Sequence, residues 1–390
     1  MRLFRTGGAE GGRDMLGASA HPTIRLVPIK TAKIGLVSLP LAWLIVLAGC
    51  KRQPADPDEP GDFAPTEPQL LSTGSPTKDE DPSVIRTSDG RMLVAWFSDR
   101  GGNSDIYVTS TSNGRSWIAA TRVTTSQQGD FYPTLLQDEQ GTFHMTWFRW
   151  SAPFVGNIWY NSSADGLTWS QSTEAQVTRA FDVDDWVPTF TRAADGTLLV
   201  YLVSEKRDAP NPTSEIYLAR KRPGQASWDA VASIAGLNSP TEHDHLPVVA
   251  RTGTGLTLVW VRHDQSEPLP WLNRKSDLFY ATSADGVTWS APARITNDAG
   301  NVVNLFPALF PASDGQWSLA WLSTRAGSPQ VFALPIAGVG QYPSGVTAMT
   351  AMPPGYSHRL AATPVAGVYL GVWVQGPEGS QDIYYRFFRR

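Results

Sequence analysis

The segment DFYPTLLQDEQGTFHMTW, residues 130–147, carries the pattern that decides the fold. It begins with an Asp three residues before a Pro, passes through a Gly turn and ends on an aromatic residue. Similar segments recur six times, and their aromatic residues are separated by 51, 54, 59, 61 and 52 residues. These aromatic residues are Trp96, Trp147, Tyr201, Trp260, Trp321 and Trp373. A period of this length, built of short strands, is typical of a propeller, a solenoid or another repeat array.

The strands within one repeat are visible in the first copy. The turn Asp89-Gly90 leads to a second strand at 92–96, a third at 105–108 and a fourth at 122–124. The other copies repeat this order, and no convincing amphipathic helix lies between them. The sequence therefore predicts an all-β fold, a six-bladed β-propeller of four-stranded antiparallel blades.

The two ends of the repeat region indicate how the ring closes. The sixth repeat stops after its third strand, at residues 387–390, so its fourth strand is missing. The segment Gln69–Ser72, just before the first repeat, has the pattern of that missing strand. We expect this N-terminal strand to close the last blade, because pairing removes an exposed sheet edge.

The N-terminus has the order of a secretory signal. Basic residues up to Lys33 precede an apolar run at 34–46, which ends in small residues before Cys50. The run is short for a membrane span of about 20 residues, although an uncleaved anchor helix is the alternative. Leu-Ala-Gly-Cys resembles the lipobox of bacterial lipoproteins. This resemblance implies a signal peptide at 1–49, lipidation of Cys50 and export to a bacterial membrane. Lys51 after the cysteine resembles the pattern of lipoproteins sent to the outer membrane.

The rest of the chain divides into a tether and a domain. Residues 50–68 are rich in Pro, Asp and Glu and predict an extended tether. Residues 69–390 predict a single propeller domain. Without residues 1–49 the chain has 26 basic and 34 acidic residues, a net charge of −8. This balance argues against nucleic acid, whose phosphates need a basic surface.

A turn between the third and fourth strands recurs in several copies. Residues 163–169 read SADGLTW, residues 283–289 read SADGVTW and residues 111–117 read TSNGRSW, while Ser227-Trp228 is a degenerate fourth copy. These turns resemble the Asp-box of the bacterial sialidase and neuraminidase repeat family. The turn chemistry itself is structural, because Asp accepts backbone N–H groups and Gly adopts the left-handed conformation. A catalytic role for Asp165 or Asp285 is the alternative interpretation.

Polar residues recur where the first strands begin and the second strands end, which is one face of a propeller. We predict that this face binds a ligand, with acids and cations suited to a polar molecule such as a sugar and aromatic faces for stacking. The alternative is that each Asp caps its own loop. The predicted ligand-binding residues are Asp79, Asp130, Asp185, Asp244, Asn304, Arg100, Arg149, Arg207, Arg262, Arg325 and Trp186.

The sialidase resemblance also implies a candidate catalytic set. Those enzymes use a Tyr nucleophile with a Glu base, and Tyr356 lies in a similar Tyr-Ser-x-x-Leu stretch. Glu205 and Glu242 are candidate bases, and Asp99 is a candidate acid. The chain departs from the family at the first blade, where Glu80 stands in place of an Arg that grips the sialic acid carboxylate. Sialic acid hydrolysis by the usual mechanism is therefore not expected, since like charges repel.

Other sites are not expected. The chain has no phosphate-binding loop and no nucleophile elbow, so we predict no cofactor. Glu242, His243, Asp244 and His245 form one run of metal-ligand types, but neighbouring residues on a strand face opposite ways. We therefore predict no metal ion.

Two functions from different classes fit these observations. The first is a monomeric, lipid-anchored cell-envelope propeller that binds a glycan or an envelope protein without catalysis. The second is a glycoside hydrolase of altered specificity that uses Tyr356 with a Glu or Asp pair.

Overall fold

A computed structural model describes the part of the chain that forms the repeats. The described residues are 66–72, 77–151, 155–179, 183–205, 213–264, 274–311, 317–336, 347–348, 358–365, 367–377 and 379–389. They belong to one compact unit, Pro54–Arg390. No helix among them is long and apolar enough to span a membrane. The predicted signal peptide and Cys50 lie outside the described residues.

The strands form six antiparallel sheets of four strands each, the blades of the predicted propeller. Blade 1 contains β2 (Asp79–Arg86), β3 (Met92–Ser98), β4 (Asp105–Thr111) and β5 (Thr121–Arg122). Blade 2 contains β6 (Asp130–Gln137), β7 (Phe143–Ser151), β8 (Val155–Ser163) and β9 (Ala175–Gln176). Blade 3 contains β10 (Asp185–Arg192), β11 (Leu198–Glu205), β12 (Ser214–Lys221) and β13 (Ala232–Ser233). Blade 4 contains β14 (Glu242–Thr252), β15 (Gly255–Asp264), β16 (Ser276–Ser283) and β17 (Ala293–Arg294).

The remaining two blades complete the ring. Blade 5 contains β18 (Asn304–Pro311), β19 (Trp317–Ser323), β20 (Gln330–Ile336) and β21 (Thr347–Ala348). Blade 6 contains β22 (His358–Val365), β23 (Val368–Gln375), β24 (Asp382–Phe388) and β1 (Gln69–Leu70). The described helix is a single 3₁₀ turn, Gln171–Thr173, whose first N–H groups are capped by Ser170. The predicted all-β, six-bladed architecture is confirmed.

The N-terminal strand closes the last blade, as predicted. Gln69 pairs with Tyr385 and Leu70 with Tyr384 in an antiparallel register. The pairing continues past the strand, because Leu71 donates its backbone N–H to the Ile383 carbonyl at 2.8 Å. Backbone groups of β24 that would otherwise face solvent are thereby paired, so blade 6 has no free outer edge there.

Apolar cores lie between neighbouring blades. One cluster joins blades 6 and 1 and contains Trp96, and another joins blades 1 and 2 and contains Trp147. The corresponding Trp260, Trp321 and Trp373 lie in clusters with the preceding blade, and all five indoles are at most 1% exposed. Aromatic side chains bury about 150–250 Å² each, which at about 25 cal/mol per Å² is worth about 4–6 kcal/mol before entropy. The tryptophans therefore belong to the scaffold.

In the third blade, the aromatic residue predicted for the repeat lies one residue away from the position that Trp occupies in other blades. Asp185 pairs with Ser204, so the residue two positions before that partner, where other blades have Trp, is Leu202. Tyr201 faces the other side of the sheet and donates its hydroxyl to the Gly286 carbonyl of blade 4. The sequence interpretation of Tyr201 as the repeat aromatic was wrong, because a shift of one residue on a strand reverses the face.

The first strand of each blade contains a bulge at the same position of the repeat. The register shifts between Glu80 and Ser83 in blade 1, and the other five blades shift at the matching place. In five blades the residue before the Pro adopts a positive φ, between 45° and 57°. Pro cannot donate to the sheet ladder, and a bulge accommodates it without an orphaned acceptor. The first strands of all six blades enclose a central channel of about 490 Å³.

The pairing of Leu71 generates a test of ring closure. Leu71→Pro removes the N–H that donates to Ile383, whereas Leu71→Ala removes the side chain and keeps that donor. We expect the Pro variant to lower the free energy of unfolding by about 1–3 kcal/mol more than the Ala variant. Chemical denaturation of both variants measures the difference. Equal stabilities would show that the N-terminal pairing contributes nothing to the ring.

Candidate functional site at the mouth face

The propeller has two distinct faces. We call mouth face the one that carries the first residues of the first strands and the last residues of the second strands. The turn face is the opposite one, with the Gly turns and the turns that resemble Asp-boxes. Since strands of one blade alternate in direction, the predicted ligand-binding positions that the structure describes fall on the mouth face.

The predicted acids of the mouth face are bonded within their own blades. Asp79 accepts hydrogen bonds from Trp96 Nε1 at 3.2 Å and from Arg100 Nη2 at 3.0 Å. Asp130 repeats this arrangement with Trp147 Nε1 at 3.0 Å and Arg149 Nε at 2.6 Å. Both carboxylates are completely buried.

Blades 4 and 5 use the same arrangement with one exchange. Asp244 accepts from Trp260 Nε1 at 2.6 Å and from Arg262 Nε at 2.7 Å. In blade 5 the acid is replaced by Asn304, whose Oδ1 accepts from Trp321 Nε1 at 2.9 Å. An amide has no charge to offer a guanidinium, and Arg325 bonds instead to Asp298 at 2.9 Å.

Each of these arginines also stacks on two aromatic rings of its blade. The guanidinium carbons lie 4.5–5.8 Å from the ring centroids. The pairs of rings are Trp96 and Tyr107 for Arg100, Trp147 and Trp159 for Arg149, Trp260 and Phe279 for Arg262, and Trp321 and Phe332 for Arg325. Planar stacking combined with paired N–H donation is specific to Arg and is not reproduced by Lys. These side chains therefore build the blades, and a direct ligand role for them stays a prediction.

The charges of the second blade show how strongly this pair is coupled. Burial raises the pKa of Asp130 to about 6, and the hydrogen bonds and charge of Arg149 oppose that rise. Burial lowers the pKa of Arg149, but hydrogen bonds to Asp130 and to Glu174 raise it overall. Arg149 Nη1 donates to Glu174 at 2.8 Å, so one buried cation bonds to two carboxylates.

Some of the remaining predicted positions are described by the structure, and two are not. Asp185 is buried in the first strand of blade 3, opposite Ser204, while Arg207 and Tyr356 lie outside the described residues. Asp99 is exposed, and its Oδ1 accepts the backbone N–H of Lys78 at 2.8 Å. Glu80, which replaces the expected Arg, pairs with Lys78 Nζ at 3.2 Å.

Glu205 is placed beside a histidine cluster between blades 3 and 4. Ser214 Oγ donates to Glu205 Oε1 at 3.4 Å and lies 3.3 Å from His243 Nδ1. The backbone N–H of Ser214 donates to that same Nδ1 at 3.0 Å. The Nδ1 atom is therefore an acceptor, so the proton of neutral His243 is on Nε2. Glu242 bonds to Ser239 Oγ at 3.2 Å, on the same strand as His243.

Three histidines and one tryptophan pack together at this place. The rings of His243 and His245 stack with centroids 5.6 Å apart, and His263 meets His245 edge to face at 5.2 Å. Trp186 of blade 3 meets His245 edge to face at 5.5 Å. Strand alternation explains the arrangement, since His243 and His245 share one face while Asp244 points to the other. The sequence interpretation noted the two histidines of β14 but did not group His263 with them, although His263 is paired with His243 across the sheet.

Burial keeps these histidines neutral. It lowers the pKa of His243 and of His245, and it lowers the pKa of His263 to about 3. The charge of Arg274 adds to each of these shifts. Among the described residues, no group of three or more His, Cys, Asp or Glu side chains is arranged to hold a metal ion.

The bulge residues with a positive φ line the central channel. Tyr132, Val187, Leu246 and Phe306 hold the left-handed position in four blades and pack in one apolar cluster. In blade 1 the same position is Asp81, which is 6% exposed and also lines the channel. The sequence interpretation did not consider Asp81 as a site residue. The signal was a carboxylate at a position that is apolar in the other four blades.

The turns that resemble Asp-boxes lie on the opposite face. Asp285 Oδ1 accepts the backbone N–H groups of Val287 and Thr288, each at 2.8 Å. Hydrogen bonds from Thr288 and Val287 lower the pKa of Asp285 to about 2. A carboxyl with so low a pKa stays ionised and is a poor proton donor near neutral pH, which favours the structural interpretation over the catalytic one.

Comparisons with known proteins identify the fold. No protein-family model matches the chain, and no curated protein sequence matches it. The α-L-arabinofuranosidase of Fusarium graminearum, solved with an iminosugar inhibitor, has a TM-score of 0.66 and 14% identity, with 83% of this chain and 98% of that chain covered. The α-L-arabinanase of Penicillium chrysogenum, solved with arabinobiose, has a TM-score of 0.66 and 12% identity, with 84% and 98% covered.

A sialidase is also similar. The Hadza microbial sialidase has a TM-score of 0.54 and 14% identity, with 80% of this chain and 65% of that chain covered. The chain thus shares a six-bladed propeller fold with glycoside hydrolases. At these identities the comparison shows the fold alone, and function must be argued from the site.

The hydrogen bonds among Asp130, Trp147 and Arg149 allow a stability test. It distinguishes a structural role of Asp130 from a role in ligand binding. Asp130→Ala leaves Arg149 buried with one fewer carboxylate and removes the acceptor of Trp147. We expect a loss of about 3–5 kcal/mol in the free energy of unfolding, against less than about 1 kcal/mol for the exposed Asp99→Ala. Denaturant melts of the two variants provide the comparison. Similar small losses for both would argue that Asp130 is kept for a ligand.

The histidine cluster generates a test of pH dependence. A histidine whose folded pKa lies below its unfolded value of about 6.5 binds a proton only after unfolding, so stability falls as the pH drops from about 6.5 toward 3. His263→Asn removes one such group. The slope of the free energy of unfolding against pH should therefore decrease by up to about 1.4 kcal/mol per pH unit. Unfolding curves collected between about pH 7 and 4.5 measure the slopes. An unchanged slope in the variant would mean that His263 titrates normally in the folded chain.

Proposed function

We propose that this protein binds a neutral glycan on its mouth face, beside the histidine cluster, as a lipid-anchored protein of the cell envelope. The main support for the neutral ligand is that four arginines of this face already have carboxylate partners. Arg100, Arg149, Arg262 and Arg325 lie near or just beyond the ends of the second strands, and each donates to an Asp side chain. A sugar carboxylate would have to displace one of these partners, and breaking such a buried pair costs about 3–5 kcal/mol. A neutral sugar needs no such exchange.

Side chains of the mouth face between blades 3 and 4 offer what a neutral sugar requires. Trp186 provides an apolar ring, His243 provides an Nε2–H donor and Glu205 provides acceptor oxygens. All three side chains are partly exposed. Sugar binding sites combine an apolar surface with a few fixed donors and acceptors in this way. The related fold of an arabinan-cleaving enzyme, solved with arabinobiose, makes arabino-oligosaccharides the first ligands to test.

The envelope location belongs to the same proposal. The lipobox-like segment before Cys50 and the Pro-rich tether support attachment through an N-terminal lipid, with the outer membrane as the destination. Such an anchor would hold a glycan-binding ring at a fixed distance from the membrane.

A glycoside hydrolase is the second candidate. Glu205 is favoured for this role because it lies in a hydrogen-bonded chain with Ser214 and His243 on the mouth face. Tyr356, the nucleophile implied by the sialidase resemblance, would supply the other half of the site.

One binding experiment tests the proposal. The full chain, purified in detergent, is titrated calorimetrically with arabino-oligosaccharides, neutral hexose oligosaccharides, uronides and sialosides. We expect a neutral oligosaccharide to bind, and Trp186→Ala to weaken binding by about tenfold, or about 1.4 kcal/mol. Trp317→Ala, at the far end of blade 5, is the matched control and should leave affinity unchanged.

Turnover assays on the same oligosaccharides separate the two candidates. Hydrolysis that disappears in both Glu205→Gln and Tyr356→Phe, but not in the turn-face control Glu139→Gln, would favour the hydrolase. Tight binding of sialosides or uronides, with none of neutral sugars, would refute the neutral-glycan proposal.

A further inference from the structure

A second pocket opens on the turn face, away from the proposed glycan site. Its volume is about 330 Å³, within the range of about 300–1,000 Å³ that small-molecule sites occupy. Strand ends of blade 2 and blade 3 line it, together with the loop that follows β12. Its charged side chains are Asp138, Arg192, Lys221 and Arg222, with His144 on the wall.

The pocket exists where blade 3 departs from the repeat. In blades 1, 2 and 4 the last cross-strand pair between the second and third strands holds a hydroxyl residue, Thr111, Ser163 or Ser283. Each hydroxyl accepts the N–H of the turn glycine, at 2.7–3.0 Å. Blade 3 has Lys221 at this position, paired with Leu198.

Lys221 cannot make the turn bond of its counterparts, because an ammonium group has no acceptor. The blade 3 turn is held instead by the Gln225 N–H, which donates to the Arg222 carbonyl at 3.1 Å. The Lys221 Nζ lies over the ring of Tyr160, 5.3 Å from its centroid. Within the described residues, no carboxylate oxygen lies within 4.0 Å of this ammonium group.

Two further cations border the same space. Arg192 Nη1 lies 3.5 Å from Glu139, which is 85% exposed, and such an exposed pair is worth little. Arg222 pairs with Asp229 at 3.0 Å and is itself mostly exposed. Three cations and one carboxylate, Asp138, line the pocket. Glu139 and Asp229 pair with Arg192 and Arg222, so among the described lining residues Lys221 is the cation with no carboxylate within 4.0 Å.

The side chains at the back wall of the pocket are hydrogen-bonded to one another. His144 Nδ1 lies 2.8 Å from Tyr160 Oη, and His144 Nε2 lies 3.1 Å from Asp138 Oδ2. Asp138 Oδ1 also accepts the N–H groups of Gln140 and Thr142, at 3.0 and 2.8 Å. The one lining carboxylate thus has three partners in the wall, His144, Gln140 and Thr142, and none of them is Lys221.

We infer that this pocket binds an acidic group, a phosphate, sulfate or carboxylate, carried on a molecule of monosaccharide size. Lys221 provides the central ion pair, and Arg192 and Arg222 provide further N–H donors at the rim. Charge-assisted hydrogen bonds to an anion are about twice as strong as neutral ones. The site is independent of the proposed glycan site, because it lies on the opposite face and between blades 2 and 3 rather than between blades 3 and 4.

The test compares charged and neutral sugars on the full chain in detergent. Glucose 6-phosphate, glucose 6-sulfate, glucuronate and glucose are titrated calorimetrically, at low and at high salt. We expect at least one acidic sugar to bind where glucose does not, and its affinity to fall at high salt. Lys221→Ser, which restores the residue type of blade 2, should weaken that binding by about tenfold.

Controls keep the result interpretable. Arg115→Ser removes one cation from the matching turn of blade 1 and should change the affinity less than about twofold. Arg192→Gln is a second pocket variant in case Lys221→Ser fails to fold, and Trp186→Ala should leave acidic binding intact. Vesicles containing phosphatidylglycerol distinguish a lipid headgroup from a soluble sugar, and binding to either that depends on Lys221 supports the inference. Equal loss in Lys221→Ser and Arg115→Ser, or no acidic ligand at all, would overturn it.

Discussion

The backbone pairing of Gln69–Leu70 with the last strand is the interaction on which the ring depends. A propeller blade is stable only between two neighbours, and the sixth blade has its outer edge covered only by a strand from the other end of the chain. Residues more than 300 positions apart are thereby joined, as in the bond from Ile383 N to Ser72 Oγ. Closure fixes every blade interface at once, so the mouth face and the turn face exist only in the closed ring.

The repeated Asp–Trp–Arg arrangement stabilises several blades from within. A buried carboxylate bonds to an indole and a guanidinium, and that guanidinium stacks on two rings. Because the same set occurs in blades 1, 2 and 4 and in altered form in blade 5, repetition marks it as structural. Chemistry specific to this protein is better sought where a blade departs from the repeat. The left-handed Asp81, the histidines of blade 4 and Lys221 in blade 3 are such departures.

Much of this architecture was predictable from spacing alone. The period of the aromatic residues, the glycine turns and the missing last strand together predicted six blades and their closure, because these features follow from local pattern. The site was less predictable. Asp130 and Arg149 have residue types that suit a ligand, and only their mutual distance of 2.6 Å shows that they bond to each other. The prediction for Tyr201 failed for a similar reason, since spacing alone does not fix the strand register that pairs Asp185 with Ser204 and puts Leu202 at the repeat position.

By itself the sequence determined the all-β class, the number of repeats and the net negative charge, and it carries the N-terminal pattern on which the proposed lipid anchor rests. Those properties depend on composition and on residues near one another in the chain. Tertiary structure alone decided which side chains meet within and between blades: Glu205 with Ser214 and His243, and His144 with Tyr160 beside Lys221. The physical reason is that these contacts form across sheets, where strand register and blade packing set the distances, and no local pattern encodes either.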